Sequence, residues 1–309
     1  TAVGLSALDS NTTADNNSAF GNGALAANTT GANNTGIGKN ALESNTTGVE
    51  NLAVGKDSMA ATTTGQGNTA VGTQSLCKNT TGTSNTGIGL GALFDNTTGI
   101  CNIAIGASSL ENNTTANNNT AIGNKTLFDN TVGFSNVAIG AYAGQNVTTG
   151  DCNVLIGNDA GENLTTGNNN IAIGRGAGTD AVGNLVTSNH FIILGNNSHT
   201  NAKIKIDWTV TSDLRDKTNF EDIPHGLDFV NKLKPVKFNF KKSREDDTPH
   251  GNARYGFKAQ DILALEGDNP IIIDNTDTEH LGYTAGNMLP VLVNAIKELK
   301  KEIDLLKNK

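Results

Sequence analysis

Apolar and polar positions alternate along residues 1–178 with one fixed period. Gly recurs at positions 4, 21, 38, 55, 72, 89, 106, 123, 140, 157 and 174, always 17 residues apart. The residue before each of these glycines is Val or Ile, and once Phe (Phe20). Asn stands four residues before it, from Asn17 to Asn170. Leu or Met stands four residues after it from Leu8 to Leu127, and Gly takes that place at Gly144, Gly161 and Gly178. A Thr pair such as Thr29-Thr30 or Thr97-Thr98 comes later in each unit. A constant period marks a solenoid, and 17 residues is too short for a helix–turn–helix unit.

Asn-Thr-Ala-Ile-Gly is short, β-branched and alternating, which predicts a strand. Each unit then has a short strand, a turn at Gly, a second short stretch carrying Ala-Leu, and a turn at Asn-Thr-Thr-Gly. Coils stacked about 4.8 Å apart would make the eleven units a rod of roughly 50 Å. Equivalent residues should form ladders, with Ile on Ile inside and Asn on Asn and Thr on Thr at the turns. One β-branched residue, one Leu and a few Ala per coil bury too little to offset chain entropy alone. Self-association into a fibrous homo-oligomer is therefore expected.

Beyond residue 178 the repeat decays. His190–Gly195 reads as one more coil, shifted by a few residues, and Lys203–Thr211 alternates as a strand would. Residues 1–211 carry 13 acids and 7 Lys/Arg, whereas residues 212–309 carry 17 and 15 in less than half the length. The chain accordingly divides into a β-solenoid (1–178), a transition segment (179–211) and a small α+β domain (212–309), mainly β as a whole. Near the end, Leu289, Leu292, Ile296, Leu299, Ile303 and Leu306 follow a 3,4,3,4,3 spacing. That is a heptad seam, predicting a short coiled-coil helix or an amphipathic helix docked on its own domain.

The net charge of −8 and the pI of about 5.1 argue against nucleic acid as a partner. No apolar run is long enough for a membrane-spanning helix. Cys77, Cys101 and Cys152 are expected as free thiols, since Cys101 and Cys152 recur three coils apart, roughly 14 Å by the strand spacing. The Asn-x-Thr triplets fit glycosylation by pattern, but their tie to the repeat points to a turn ladder. No cofactor or metal is expected, because the five His residues show no metal spacing.

Asn118–Gly123 (Asn-Asn-Thr-Ala-Ile-Gly) and Asn68–Gly72 (Asn-Thr-Ala-Val-Gly) resemble the head repeats of trimeric autotransporter adhesins. The resemblance implies a left-handed parallel β-roll packed as three chains. Thr1 enters the repeat three residues before Gly4, so further coils are expected upstream.

A second resemblance rests on four stretches: Ser212-Asp213-x-Arg215-x-Lys217, Leu233–Phe238, Tyr255–Asp261 and Leu289–Leu299. Together they are similar to the C-terminal intramolecular chaperone domain of phage tail spikes and fibres, the endosialidase type. Lys258 and Asp261 depart from that family's pattern. The resemblance implies self-cleavage between Thr211 and Ser212 by a serine–lysine pair. Ser212 adjoins the Thr211 carbonyl, so its hydroxyl can attack through a five-membered ring. Lys217 can take the proton only when neutral, which calls for burial, and trimerisation could supply it. By spacing alone, Ser212 and Lys217 are a turn serine and a surface lysine. Asp213 and Arg215 read as a structural ion pair, Arg244–Asp247 as a solvated loop, and His250 as a residue that could line the site.

The resulting expectation is a virion tail fibre or spike. It would be a homotrimer, assembled in the host cytoplasm, that contacts other tail proteins and a host receptor or glycan. The peptidase would act only in cis. The alternatives are a bacterial surface adhesin, disfavoured by a charged C-terminal helix where membrane strands would be needed, and an ice- or glycan-binding Thr ladder.

Overall fold

The computed structural model describes residues 1–180, 183–199, 205, 212–242, 244–276, 278 and 280–308. They form two compact units, Thr1–Asn196 and Asn197–Lys309. The strand expected over Lys203–Thr211 lies outside the described residues, Lys205 excepted.

The first unit is a parallel β-solenoid whose twelve stacked strands form one sheet. Most strands are three residues long, such as Thr69–Val71 and Thr120–Ile122, and each pairs with the strand one repeat away (Ala121 beside Ala138). The stretch carrying Ala-Leu is a turn. The last coil, Ile192–Leu194, pairs with Ile171–Ile173 at an offset of 21 residues. The extra residues include the small hairpin Thr179–Asp180 with Gly183–Asn184.

The expectation of Ile stacked on Ile inside the rod is not met. The middle residue of each strand is buried (Ala19, Ala53, Ala70, Ala104, Ala121, Ala138), and Leu25, Leu42, Leu76, Leu93, Leu110 and Leu127 pack against that row. The Val/Ile row before each Gly points outward; Ile37, Ile88, Ile105, Ile122, Ile139 and Ile173 are exposed. Successive side chains of a strand face opposite ways, so with the middle residue facing in, its two neighbours, including the Val or Ile before Gly, face out. Ala or Gly holds that place in most coils, which leaves room for the Leu from the turn.

Buried amides close the coils. Asn68 Oδ1 accepts the Asn85 backbone N–H at 3.0 Å, and its Nδ2 donates to the Gly82 carbonyl at 2.9 Å. The pattern recurs from Asn17 to Asn170. A second ladder runs through Asn28, Asn45, Asn79, Asn96, Asn113 and Asn130, where Asn96 Nδ2 donates to Asn79 Oδ1 at 2.8 Å. The sequon asparagines among these, Asn28, Asn45, Asn79, Asn96 and Asn113, are fully buried and hydrogen-bonded, so at these positions the turn-ladder reading holds. Thr62 interrupts this ladder, and both Asn45 Oδ1 and Thr62 Oγ1 are buried without a partner. The first Thr of each pair donates its hydroxyl to the next coil, as Thr80 does to the Thr97 carbonyl at 3.0 Å.

Two glycine positions explain themselves. A Cβ on Gly72 would lie 2.4 Å from the Gly89 carbonyl oxygen of the next coil. The Leu four residues later sits in the left-handed region (Leu76 φ 52°, Leu93 φ 54°), a strained setting held by burial. Gly144, Gly161 and Gly178 relieve that strain, and Val147, Leu155, Leu164 and Leu185 fill the core instead. Cys77, Cys101 and Cys152 are free thiols, and burial raises the Cys77 pKa, with a further push from Asp57.

The second unit has helix α1 (Leu227–Lys232), an antiparallel hairpin of Val236–Lys241 with Pro249–Gly256, helix α2 (Ala259–Glu266), a two-residue ribbon (Ile273–Asp274 with Gly282–Tyr283) and helix α3 (Ala285–Lys307). Phe229, Ile262, Ile272, Ile273, Met288 and Val291 form its core. The Glu266 carboxylate, at the end of α2, accepts the N–H groups of Ile271, Ile272 and Ile273 at 2.9, 2.7 and 3.0 Å.

Two substitutions test the packing of the solenoid. Thr62→Asn should restore the ladder and raise stability by about 1 kcal/mol, read by thermal unfolding. Gly161→Ala should lower it by about 1–3 kcal/mol, because a Cβ there meets Leu155 Cδ2 at 2.6 Å and the backbone is left-handed.

Candidate functional site

The chain from Ser212 to Lys217 is a single tight turn. Asp213 is extended (φ −68°, ψ 136°) and caps the 3₁₀ turn Leu214–Asp216 by accepting the Arg215 N–H at 2.9 Å. The Asp side chain is short enough to reach the second amide beyond it, which is why Asp is favoured at such a cap. The Arg215 guanidinium returns onto the same carboxylate, with Nη2 2.6 Å from Oδ2 and Nε 3.1 Å from Oδ1. These hydrogen bonds lower the Asp213 pKa from the usual carboxylate value and raise that of Arg215. The ion pair expected from the sequence is present.

The turn folds Lys217 back toward its start. The Lys217 N–H donates to the Leu214 carbonyl at 3.2 Å, and its ammonium donates to Ser212 Oγ at 2.5 Å. The two candidate residues therefore meet, five positions apart. Both are exposed in the single chain, so its own fold does not supply the burial that a lysine base needs. Thr211, on the other side of the candidate bond, lies outside the described residues.

His250 is part of the strand Pro249–Gly256, opposite Phe240. Its Nε2 is buried without a partner. Exposed Arg244 and Glu245 lie beside an ion pair between Lys241 and Asp247. Among the described residues no group of three or more His, Cys, Asp or Glu could hold a metal ion.

Sequence reasoning missed the side chains that hold the segment following Lys217. Asn294 Nδ2 donates to the His225 carbonyl at 2.9 Å, and Glu298 Oε2 accepts the Leu227 N–H at 2.6 Å, both from α3. His225 stacks on Phe229 at 4.3 Å. The partners lie 69 and 71 residues apart, and no local spacing signals them.

Residues 212–270 match the model of a known family, the chaperone of endosialidase. The match starts at the candidate serine and covers the first three of the four stretches that carried the resemblance; Leu289–Leu299 lies beyond it. Neither curated proteins nor solved structures give a match to the chain.

The cap makes a pH prediction. Because Arg215 lowers the Asp213 pKa, the turn should persist as pH falls through the ordinary carboxylate range near ~3.9 and open only below it. The Arg215 amide resonance would report this. Asp213→Ala should abolish the ordered signal at every pH.

Proposed function

We propose that this chain is a segment of a trimeric tail fibre or spike for host attachment. In this reading its C-terminal unit aligns the three chains and is then released by self-cleavage between Thr211 and Ser212. The observation that carries the reading is the approach of Lys217 Nζ to Ser212 Oγ at the first residue of the endosialidase-chaperone match.

Two unpartnered apolar surfaces support assembly. One is the outward Val/Ile row of the solenoid, continuous from coil to coil. The other is the seam of α3. Met288, Val291 and Ala295 dock α3 on its own unit, while Leu289 (64% exposed), Ile296 (66%) and Leu306 (69%) face away with Leu292, Leu299 and Ile303. Docking and seam thus use different positions of the same helix. Ile at 296 and 303 with Leu at 292, 299 and 306 is an arrangement that favours two strands, so the chain count is the discriminating measurement.

The need for an aligning unit follows from the repeat. Sliding one chain by 17 residues against its neighbours preserves nearly every side-chain contact, so misaligned rods are almost as stable as aligned ones. A non-repeating unit that associates first removes the ambiguity. Its later release leaves a fibre that unfolds slowly and cannot readily restart.

The chemistry balances without a co-reactant other than water. Ser212 Oγ attacks the Thr211 carbonyl carbon and its proton passes to neutral Lys217. The C–N bond breaks, the Ser212 nitrogen takes that proton, and an ester links the two residues. Water then hydrolyses the ester to a Thr211 carboxylate and a free Ser212 hydroxyl. Burial of Lys217 between assembled chains would start the sequence. The Thr-ladder alternative is weakened because the first Thr of each pair spends its hydroxyl on the neighbouring coil.

Native and intact mass of the expressed chain tests the reading. Three-chain assemblies and a fragment beginning at Ser212 are expected, with the fragment absent from Ser212→Ala and Lys217→Ala. A monomer, a dimer, or cleavage at the same bond in either variant would overturn it.

A further inference from the structure

Helix α3 has two jobs on two sides. One side carries the exposed seam of Leu289, Leu292, Ile296, Leu299, Ile303 and Leu306. The other grips the chain that follows Lys217. Asn294 Nδ2 holds the His225 carbonyl at 2.9 Å and also meets Glu298 Oε1 at 3.3 Å, while Glu298 Oε2 holds the Leu227 N–H at 2.6 Å. Gly226 lies between these two anchor points. A Cβ on it would stand 2.2 Å from both Glu298 carboxylate oxygens, so the grip requires Gly at this position. Residues 218–224, which join Lys217 to this anchor, are exposed and without helix or strand. They are a short tether between the helix and the Ser212–Lys217 turn.

A tether this short limits where the turn can sit once α3 is fixed. In the free chain the turn is exposed. When α3 is locked into an assembly through its seam, the anchored tether confines the turn to within roughly 25 Å of its anchor on that helix. We infer that Glu298, with Asn294, is a positioning residue that couples assembly through α3 to cleavage at Ser212. It acts through the His225–Leu227 backbone rather than by touching the reacting atoms. The inference rests on the self-cleavage reading above and adds the element that times it.

The experiment uses the full chain, with assembled species isolated by size exclusion so that only folded oligomer is compared. Glu298→Ala should assemble with unchanged helix content yet cleave at least tenfold more slowly. Its residual cleavage should lose the dependence on protein concentration that assembly gives the parent chain. Glu298→Gln keeps an acceptor oxygen for the Leu227 N–H and should restore the parent rate. Gly226→Ala displaces the Glu298 carboxylate from the opposite partner and should reproduce the slow phenotype. Assembled Glu298→Ala or Gly226→Ala cleaving at the parent rate overturns the coupling and leaves the self-cleavage reading standing. A parent chain that assembles and never yields a fragment starting at Ser212 overturns the reading, and the coupling with it.

Discussion

A buried asparagine in each coil holds the solenoid together. A strand of three residues leaves most of a 17-residue coil in turns, whose amide and carbonyl groups need partners away from the sheet. The Asn from Asn17 to Asn170 supplies one acceptor to the next coil and one donor to a turn carbonyl, in most coils that of a Gly, and little else of that size can do both. Leaving such a group unpaired inside the rod costs about 1–3 kcal/mol. The second Asn ladder shows the same economy by exception. At Val147 and Leu164 the amide gives way to an apolar side chain, at the coils where Gly144 and Gly161 have removed the buried Leu. Polar closure and apolar filling are exchanged within the coil, and the core is preserved.

This closure makes every coil a copy of the last, and identity has a consequence. Nothing in the repeat distinguishes one 17-residue offset from the next. The second unit is unlike the first in each relevant respect. Its helices, hairpin and clamps occur once, its core joins Phe229 to Met288 and Val291 across the unit, and it leaves one face of α3 uncovered. In the proposed assembly these unique contacts supply the alignment that the repeat lacks, and the Ser212–Lys217 turn marks where the aligning unit would part from the rod.

The solenoid was legible because its period is strict and its Gly, Asn and Leu ladders recur at fixed offsets. The pairing of Ser212 with Lys217 came only from the family resemblance, since by spacing alone they read as a turn serine and a surface lysine; the Asp213 cap that folds the turn back is a finding of the structure. The side from which the Val/Ile row looks was misread. β-branched residues beside a recurring Gly suggest a core, but the middle residue of each strand, Ala121 or its equivalent, faces in, and its neighbours on either side then face out. The seam and the docked face of α3 were superimposed in the sequence, where a heptad and a docked amphipathic helix look alike.

By itself, then, the amino-acid order determined the period and the Gly, Asn and Thr ladders, because each depends on residues within one repeat. Only the tertiary structure decided which row faces outward, which face of α3 stays open, and that Glu298 and Asn294 hold His225–Leu227. Those choices depend on groups 69 to 71 residues apart, or on how much space a narrow coil encloses, and neither quantity is written in local spacing.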